Sequence, residues 1–119
     1  MPEEKKKRKL FISCPMRGKT EDEIFSARAK LRKIAEAYED EELEVIHNYN
    51  PEFTRINSVD ALGQSIAAMA EADVYIGVDN CPADKFPGAC IENAVVRLYP
   101  EVIKKHYLVD YRTVFGKDA

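Results

Sequence analysis

The sequence has no apolar run near the ~18 residues that cross a bilayer, so a helical membrane span is not its organising feature. Cysteine is scarce: there are three, Cys14, Cys81 and Cys90, and the start of the chain lacks a basic segment followed by an apolar one. That combination points to a reducing, cytoplasmic setting and not to an export route. The cysteine spacing matches no zinc-ligand pattern and His47 and His106 are the only histidines, so no metal is expected. A basic excess is missing as well. The net charge of -3 argues against a nucleic-acid polymer as partner. The basic residues that exist gather in Lys5 to Lys9 and read as a solvated tail over residues 1–9, in preference to a localisation signal or polyanion-binding arm.

What is present suffices for one core. With 45% hydrophobic residues in 119, the chain supports one domain, expected over residues 10–110. Residues 111–119 read as a C-terminal tail, frayed or docked on a partner. Leu10 to Cys14 reads as a buried strand bounded by Pro15 and Gly18. Thr20-Glu21-Asp22-Glu23 is a capping box. It opens a helix with Ile24, Ala27, Leu31, Ile34 or Ala35, and Tyr38 inward, leaving Arg28, Lys30, Arg32, Lys33 and Glu36 in water.

Glu44 to Tyr49 reads as a second strand ended by Asn50-Pro51, with a polar loop to Asn57. Ser58 caps a helix striped by Val59, Leu62, Ile66 and Met69. Val74 to Val78 is apolar, β-branched and too short for a helix, so it reads as a third strand. After a loop from Asp79 to Gly88, a helix over about Ala89 to Tyr99 places Ile91, Val95 and Leu98 inward and stops at Pro100. His106 to Val109 supplies a fourth strand. This alternation predicts an α/β fold, an open parallel sheet of four or five strands with helices on both faces. Ligands in such sheets bind at the carboxyl ends of the strands, here Ser13 to Gly18, Tyr49 to Pro51 and Asp79 to Gly88.

The turn Ser13 to Gly18 runs from strand into helix, a geometry that aims N–H groups and a helix dipole at an anion. Ser13-x4-Gly18-Lys19-Thr20 comes close to a phosphate-binding loop of nucleotide hydrolases, and Val74 to Asp79 imitates the strand that ends in a magnesium-binding aspartate. Against that reading, Ser13 stands where the first glycine belongs and Pro15 removes an N–H from the cradle. Cys14 and Arg17 are too close for a cysteine phosphatase, so Cys14 reads as a buried strand-end residue. Glu92 lies in the first turn of the third helix, placed to point back over the sheet edge. Acidic residues also favour first turns for dipole reasons alone, worth ~0.3–1 kcal/mol.

Ile12-Ser13-Cys14-Pro15-Met16-Arg17-Gly18 resembles the first-strand motif of the nucleoside 2-deoxyribosyltransferase-like superfamily, which includes deoxynucleoside 5'-monophosphate N-glycosidases. Ala72-Asp73-Val74-Tyr75-Ile76 is similar to that group's third strand, Gly88-Ala89-Cys90-Ile91-Glu92 to its turn into a helix, and Val45 to Pro51 to its second strand. The resemblance covers residues 10 to about 99 in order. It implies a flavodoxin-like fold, a homodimer or larger homo-oligomer, and cleavage or transfer at the N-glycosidic bond of a nucleoside or nucleotide. It further implies Glu92 as nucleophile, with Met16, Arg17 and Gly18 holding a 5'-hydroxyl or phosphate beside Ser13 and Pro15. Asp79 and Asn80 would address sugar or base, and Asn50 and Gly88 belong to the matching motifs. Carboxylate chemistry of this kind demands no cofactor.

Two positions depart from the family pattern. Ser65 stands where the group places an aspartate that manages protons on the departing base, and a serine is no general acid near neutral pH. The mechanism is left with Asp79, another carboxylate, water or nothing. Phe86 replaces a serine of the monophosphate glycosidases and offers a stacking surface for a base, worth ~1–3 kcal/mol. Two alternatives therefore stand beside the enzyme: a catalytically inactive nucleotide-binding module of the same fold, and a nucleotide hydrolase resting on Gly18-Lys19-Thr20.

Overall fold

A computed structural model of the chain describes residues 7–46, 58–101 and 105–116. Four strands, β1 (Lys9–Ile12), β2 (Glu44–Val45), β3 (Val74–Asp79) and β4 (Lys105–Asp110), form one all-parallel sheet in the order β2-β1-β3-β4. The helices are α1 (Glu21–Glu39), α2 (Ser58–Met69), α3 (Pro87–Leu98) and α4 (Tyr111–Phe115). This is the α/β fold expected from the alternation, a flavodoxin-like open sheet flanked by helices.

Strand alternation sorts the core into two layers. Leu10, Ile12, Val74, Ile76 and Val78 pack with Ala27, Leu31 and Ala35 of α1 and with Tyr111 and Val114 of α4. Phe11 and Tyr75, whose rings stack at 5.7 Å, face the other way toward Met69 of α2 and Val96 of α3. Right-handed crossovers account for this division, because the chain steps one way from β1 to β2 and the other way from β2 to β3 and β4. The strand order reverses between β1 and β3, where Ser13 N–H continues the ladder to Ile76 O at 2.9 Å.

Helix α1 begins as read. Thr20 accepts from Glu23 N–H, Glu23 accepts from Thr20 N–H, and Ile24, Ala27, Leu31 and Ala35 are buried. Tyr38 does not join them: it is 68% exposed and stacks on Tyr107 at 5.0 Å.

Helix α3 departs further. Its buried face is Ala89, Glu92, Asn93 and Val96, while Ile91 and Leu98 are 43% and 74% exposed. Of the apolar stripe expected inside, Val95 is half-buried against the Phe11–Tyr75 layer, while Ile91 and Leu98 face out. The polar pair is tolerated inside because neighbouring elements supply its hydrogen-bond partners.

The ends of the domain also shift. Lys9 already belongs to β1, and residues 111–115 are a helix with Tyr111 5% exposed, so the tail read from residue 111 is instead part of the core. Asp110 caps this helix by accepting from Arg112 N–H at 2.8 Å.

At the opposite end of the sheet Glu39, its side chain 3% exposed, accepts from Arg8 and from the Tyr107 hydroxyl. Those bonds, the tyrosine's foremost, hold its carboxyl below the ordinary value of 4.5. A depressed folded-state pKa contributes stability that is present above the unfolded value and lost as pH falls through the folded one. Urea unfolding across pH should show Glu39→Gln less stable than the parent by on the order of 1 kcal/mol near neutrality, after allowance for solvent screening. That gap should close below about pH 4.

Candidate active site

The carboxyl edge of the sheet brings together the end of β1, the start of α3 and the inner face of α2. Ser13, 1% exposed, donates its hydroxyl to Glu92 Oε1 at 2.6 Å across 79 residues of sequence. Glu92 is 8% exposed. Burial raises its carboxyl above the ordinary value, and the hydroxyls of Ser13 and Ser65 and the charge of Arg28 pull the other way. Next to it, Asn93 accepts from the Tyr75 hydroxyl and donates to Val78 O at 2.8 Å. Burial raises the Tyr75 phenol, so it stays a protonated donor at neutral pH.

Gly77 makes this crossing possible. A Cβ there would overlap Asn93 Oδ1 and stand 2.8 and 2.9 Å from Cε1 and the hydroxyl oxygen of Tyr75.

The chain matches no family model, no curated protein and no solved structure. The chemistry of the edge is therefore read from its own residues. Among those expected in the site, Ser13 and Glu92 meet. Pro15 is buried beneath the turn, Met16 is half-buried, and Arg17 and Gly18 lie exposed at its tip, Gly18 with φ +76°. Asp79 turns to Arg97 at 3.3 Å, and Asn80, at φ 60°, donates to Asp110 at 3.1 Å. Gly88 lies in the first turn of α3, where an added Cβ would make only an ordinary 3.9 Å contact with Leu62. Asn50 lies outside the described residues.

Phe86 is 5% exposed and packs against Tyr111 at 5.8 Å, so its ring forms part of the wall and does not lie open as a stacking platform. Cys14 is buried, its thiol pushed up to about 12 by desolvation, which leaves it protonated and unreactive. Among the described residues no group of three or more histidine, cysteine, aspartate or glutamate side chains is placed to hold a metal.

Sequence reasoning missed three features. Lys19 donates to the Tyr111 hydroxyl at 2.8 Å and lies 4.4–5.8 Å from the ring centres of Phe86, Tyr111 and Phe115. Its ammonium joins the first turn to α4 and is committed there, not aimed at a phosphate. Arg28, expected in water, is half-buried and donates to Ile12 O at 3.4 Å. The third is the helix end best suited to an anion. That of α1 is closed by its capping box and has Glu21, Asp22 and Glu23 in its first turn, whereas α3 follows its N-cap Phe86 with no side-chain cap and no first-turn acid, Glu92, read in the first turn, falling instead in the second. Pro87 has no N–H and the Phe86 N–H donates to Pro82 O at 2.9 Å, so the Gly88 and Ala89 amides supply the positive end of the α3 dipole.

A groove of about 670 Å³ lies elsewhere, between α1 and edge strand β2, lined by Ile12, Phe25, Arg28, Arg32, Lys33 and Val45 among others. Neither Ser13 nor Glu92 lines it.

Proposed function

We propose that this chain cleaves or transfers the N-glycosidic bond of a nucleoside or nucleotide through a covalent glycosyl ester on Glu92. The observation that carries the reading is the Ser13–Glu92 contact, which fixes a buried carboxylate at the switch point of an open parallel sheet. In the first step a Glu92 oxygen bonds to the anomeric carbon as the carbon–nitrogen bond breaks, and the base departs with that electron pair. In the second, water or an acceptor base displaces Glu92 and restores the carboxylate. Ser13 and Ser65 orient the nucleophile, and the Gly88 and Ala89 amides that follow Pro87 address the ligand's 5' end. With Asp79 held by Arg97, the departing base takes its proton from water. The three free thiols suit the reducing cytoplasm, the setting we assign to the reaction.

The inactive nucleotide-binding module is the second reading, and Ser65 in place of an acid favours it. The hydrolase reading draws no support from Lys19, whose ammonium is engaged by Tyr111.

Incubation with deoxynucleosides and their 5'-monophosphates, with and without an acceptor base, distinguishes these readings by chromatography of free base. Release above the uncatalysed rate is expected. Tight nucleotide binding without release would establish the binding module instead. With an active substrate in hand, Ser13→Ala should lower kcat by about 10- to 100-fold, the size of effect expected when a nucleophile loses an orienting hydrogen bond.

A further inference from the structure

Two of the three cysteines meet across the loop that joins β3 to α3, and the proposed reaction uses neither. Asn80, at φ 60°, turns the chain back at the end of β3, and the Cys81 thiol donates to Val78 O at 3.1 Å. Cys90 is fixed in the opening of α3 by its N–H, which donates to Phe86 O at 3.3 Å, while its thiol donates to Cys81 O at 3.7 Å. Both thiols are free and both side chains are half-buried, whereas Cys14 is buried beneath the turn after β1.

We propose that Cys81 and Cys90 are a modification site, joined in a reversible disulfide by exchange with a low-molecular-weight disulfide of the glutathione type. The Cys90 sulfur already touches the backbone of Cys81, nine positions away, so the bond calls for side-chain rotation and little travel of the chain. Little is lost in making it. Each thiol gives up only a weak hydrogen bond, and Val78 O keeps its bond from Asn93 at 2.8 Å. Burial, with Cys90 and Asp79 adding to it, pushes the Cys81 thiol up to about 11, which makes it a slow first attacker. Cys90 therefore meets the oxidant first. Its thiolate attacks one sulfur of the small disulfide, forming a mixed disulfide and expelling one glutathione thiolate; the Cys81 thiolate then attacks the Cys90 sulfur and expels the second. Two protein thiols are oxidised, one small disulfide is reduced to two thiols, and the protons shed by the cysteines end on those thiols. The ring so closed contains Gly88 and Ala89 and ties the loop after β3 to the helix that carries Glu92. In a reducing cytoplasm such a pair forms only transiently, when oxidant rises. This inference concerns the thiols alone and holds whatever reaction Glu92 performs.

Mass spectrometry of the folded, reduced chain after incubation with oxidised glutathione and quenching with an alkylating agent tests it. The parent should lose two hydrogens in intact mass and retain Cys14 as its one alkylatable thiol after unfolding. Trypsin cuts after Lys85, between the two cysteines, so the bond should appear as a linked pair of peptides that separates on reduction. Excess reduced glutathione should restore all three thiols. Cys81→Ser should stop at a glutathione adduct on Cys90, and Cys90→Ser should take up glutathione at least about 10-fold more slowly than Cys81→Ser. Cys14→Ser should cross-link as the parent does, and circular dichroism checks that each variant is folded. A parent that keeps three free thiols, a link that includes Cys14, or a bond that excess reduced glutathione leaves intact would overturn the proposal.

Discussion

Glu92→Gln is expected to lower base release at least ~10³-fold, the order of loss seen when a covalent nucleophile is removed, while the chain stays folded and becomes more stable at pH values where the parent's Glu92 is ionised. The two effects share one cause. Burial raises the Glu92 carboxyl above its ordinary value of 4.5. A raised folded-state pKa contributes stability that is fully present below the unfolded value and lost as pH rises through the folded one. Once pH has risen past the folded-state value the parent keeps a desolvated carboxylate that glutamine removes, a gain of roughly 1–2 kcal/mol in urea unfolding. The gain should shrink as pH falls through the raised folded-state value and be smallest by the ordinary carboxylate range. Base release by the parent should follow the opposite course, rising with pH as Glu92 ionises. A carboxyl serving only as a structural hydrogen-bond acceptor for Ser13 would give the reverse: a less stable glutamine variant and unchanged turnover.

Gly77→Ala carries the largest expected cost to the fold, about 3 kcal/mol in urea unfolding, combining overpacking of ~1–3 kcal/mol with a disturbed buried hydrogen bond of ~1–3 kcal/mol. The new methyl would drive apart Asn93 and the Tyr75 hydroxyl, leaving buried polar atoms without partners. A loss of that size is a large share of the stability of a small domain. If the damage lies in that crossing, Gly77→Ala and Tyr75→Phe should be strongly non-additive, because the second substitution removes an atom with which the first collides. Additive losses would locate the damage elsewhere in the strand.

The sheet and its helices were legible in the sequence because they rest on local signals. Thr20 and Glu23 announce the start of α1, and the unbroken apolar run at Val74 has no stable place except in a buried strand. The phase of α3 was not legible. Apolar periodicity turned Ile91 and Leu98 inward, whereas the helix turns Glu92 and Asn93 inward. Those two are satisfied by Ser13, Tyr75 and Val78, and the space they need comes from Gly77. None of these relations is local. The short α4 was read as tail for a similar reason: five residues have little helical propensity of their own, and Tyr111 is ordered by Lys19 and Phe86. The Ser13–Glu92 pairing was approached from motif order, while Arg28 and the cage around Lys19 depend on side chains converging from distant segments.

The most direct measurement is acid quenching during turnover of the active deoxynucleoside or its monophosphate, followed by mass spectrometry of the intact chain and its peptides. The mechanism proposed here predicts a deoxyribosyl adduct, phosphorylated when the substrate is, on the peptide containing Glu92 and absent from Glu92→Gln. Steady base release from the parent with no adduct on that peptide, and at the same rate from Glu92→Gln, would contradict it.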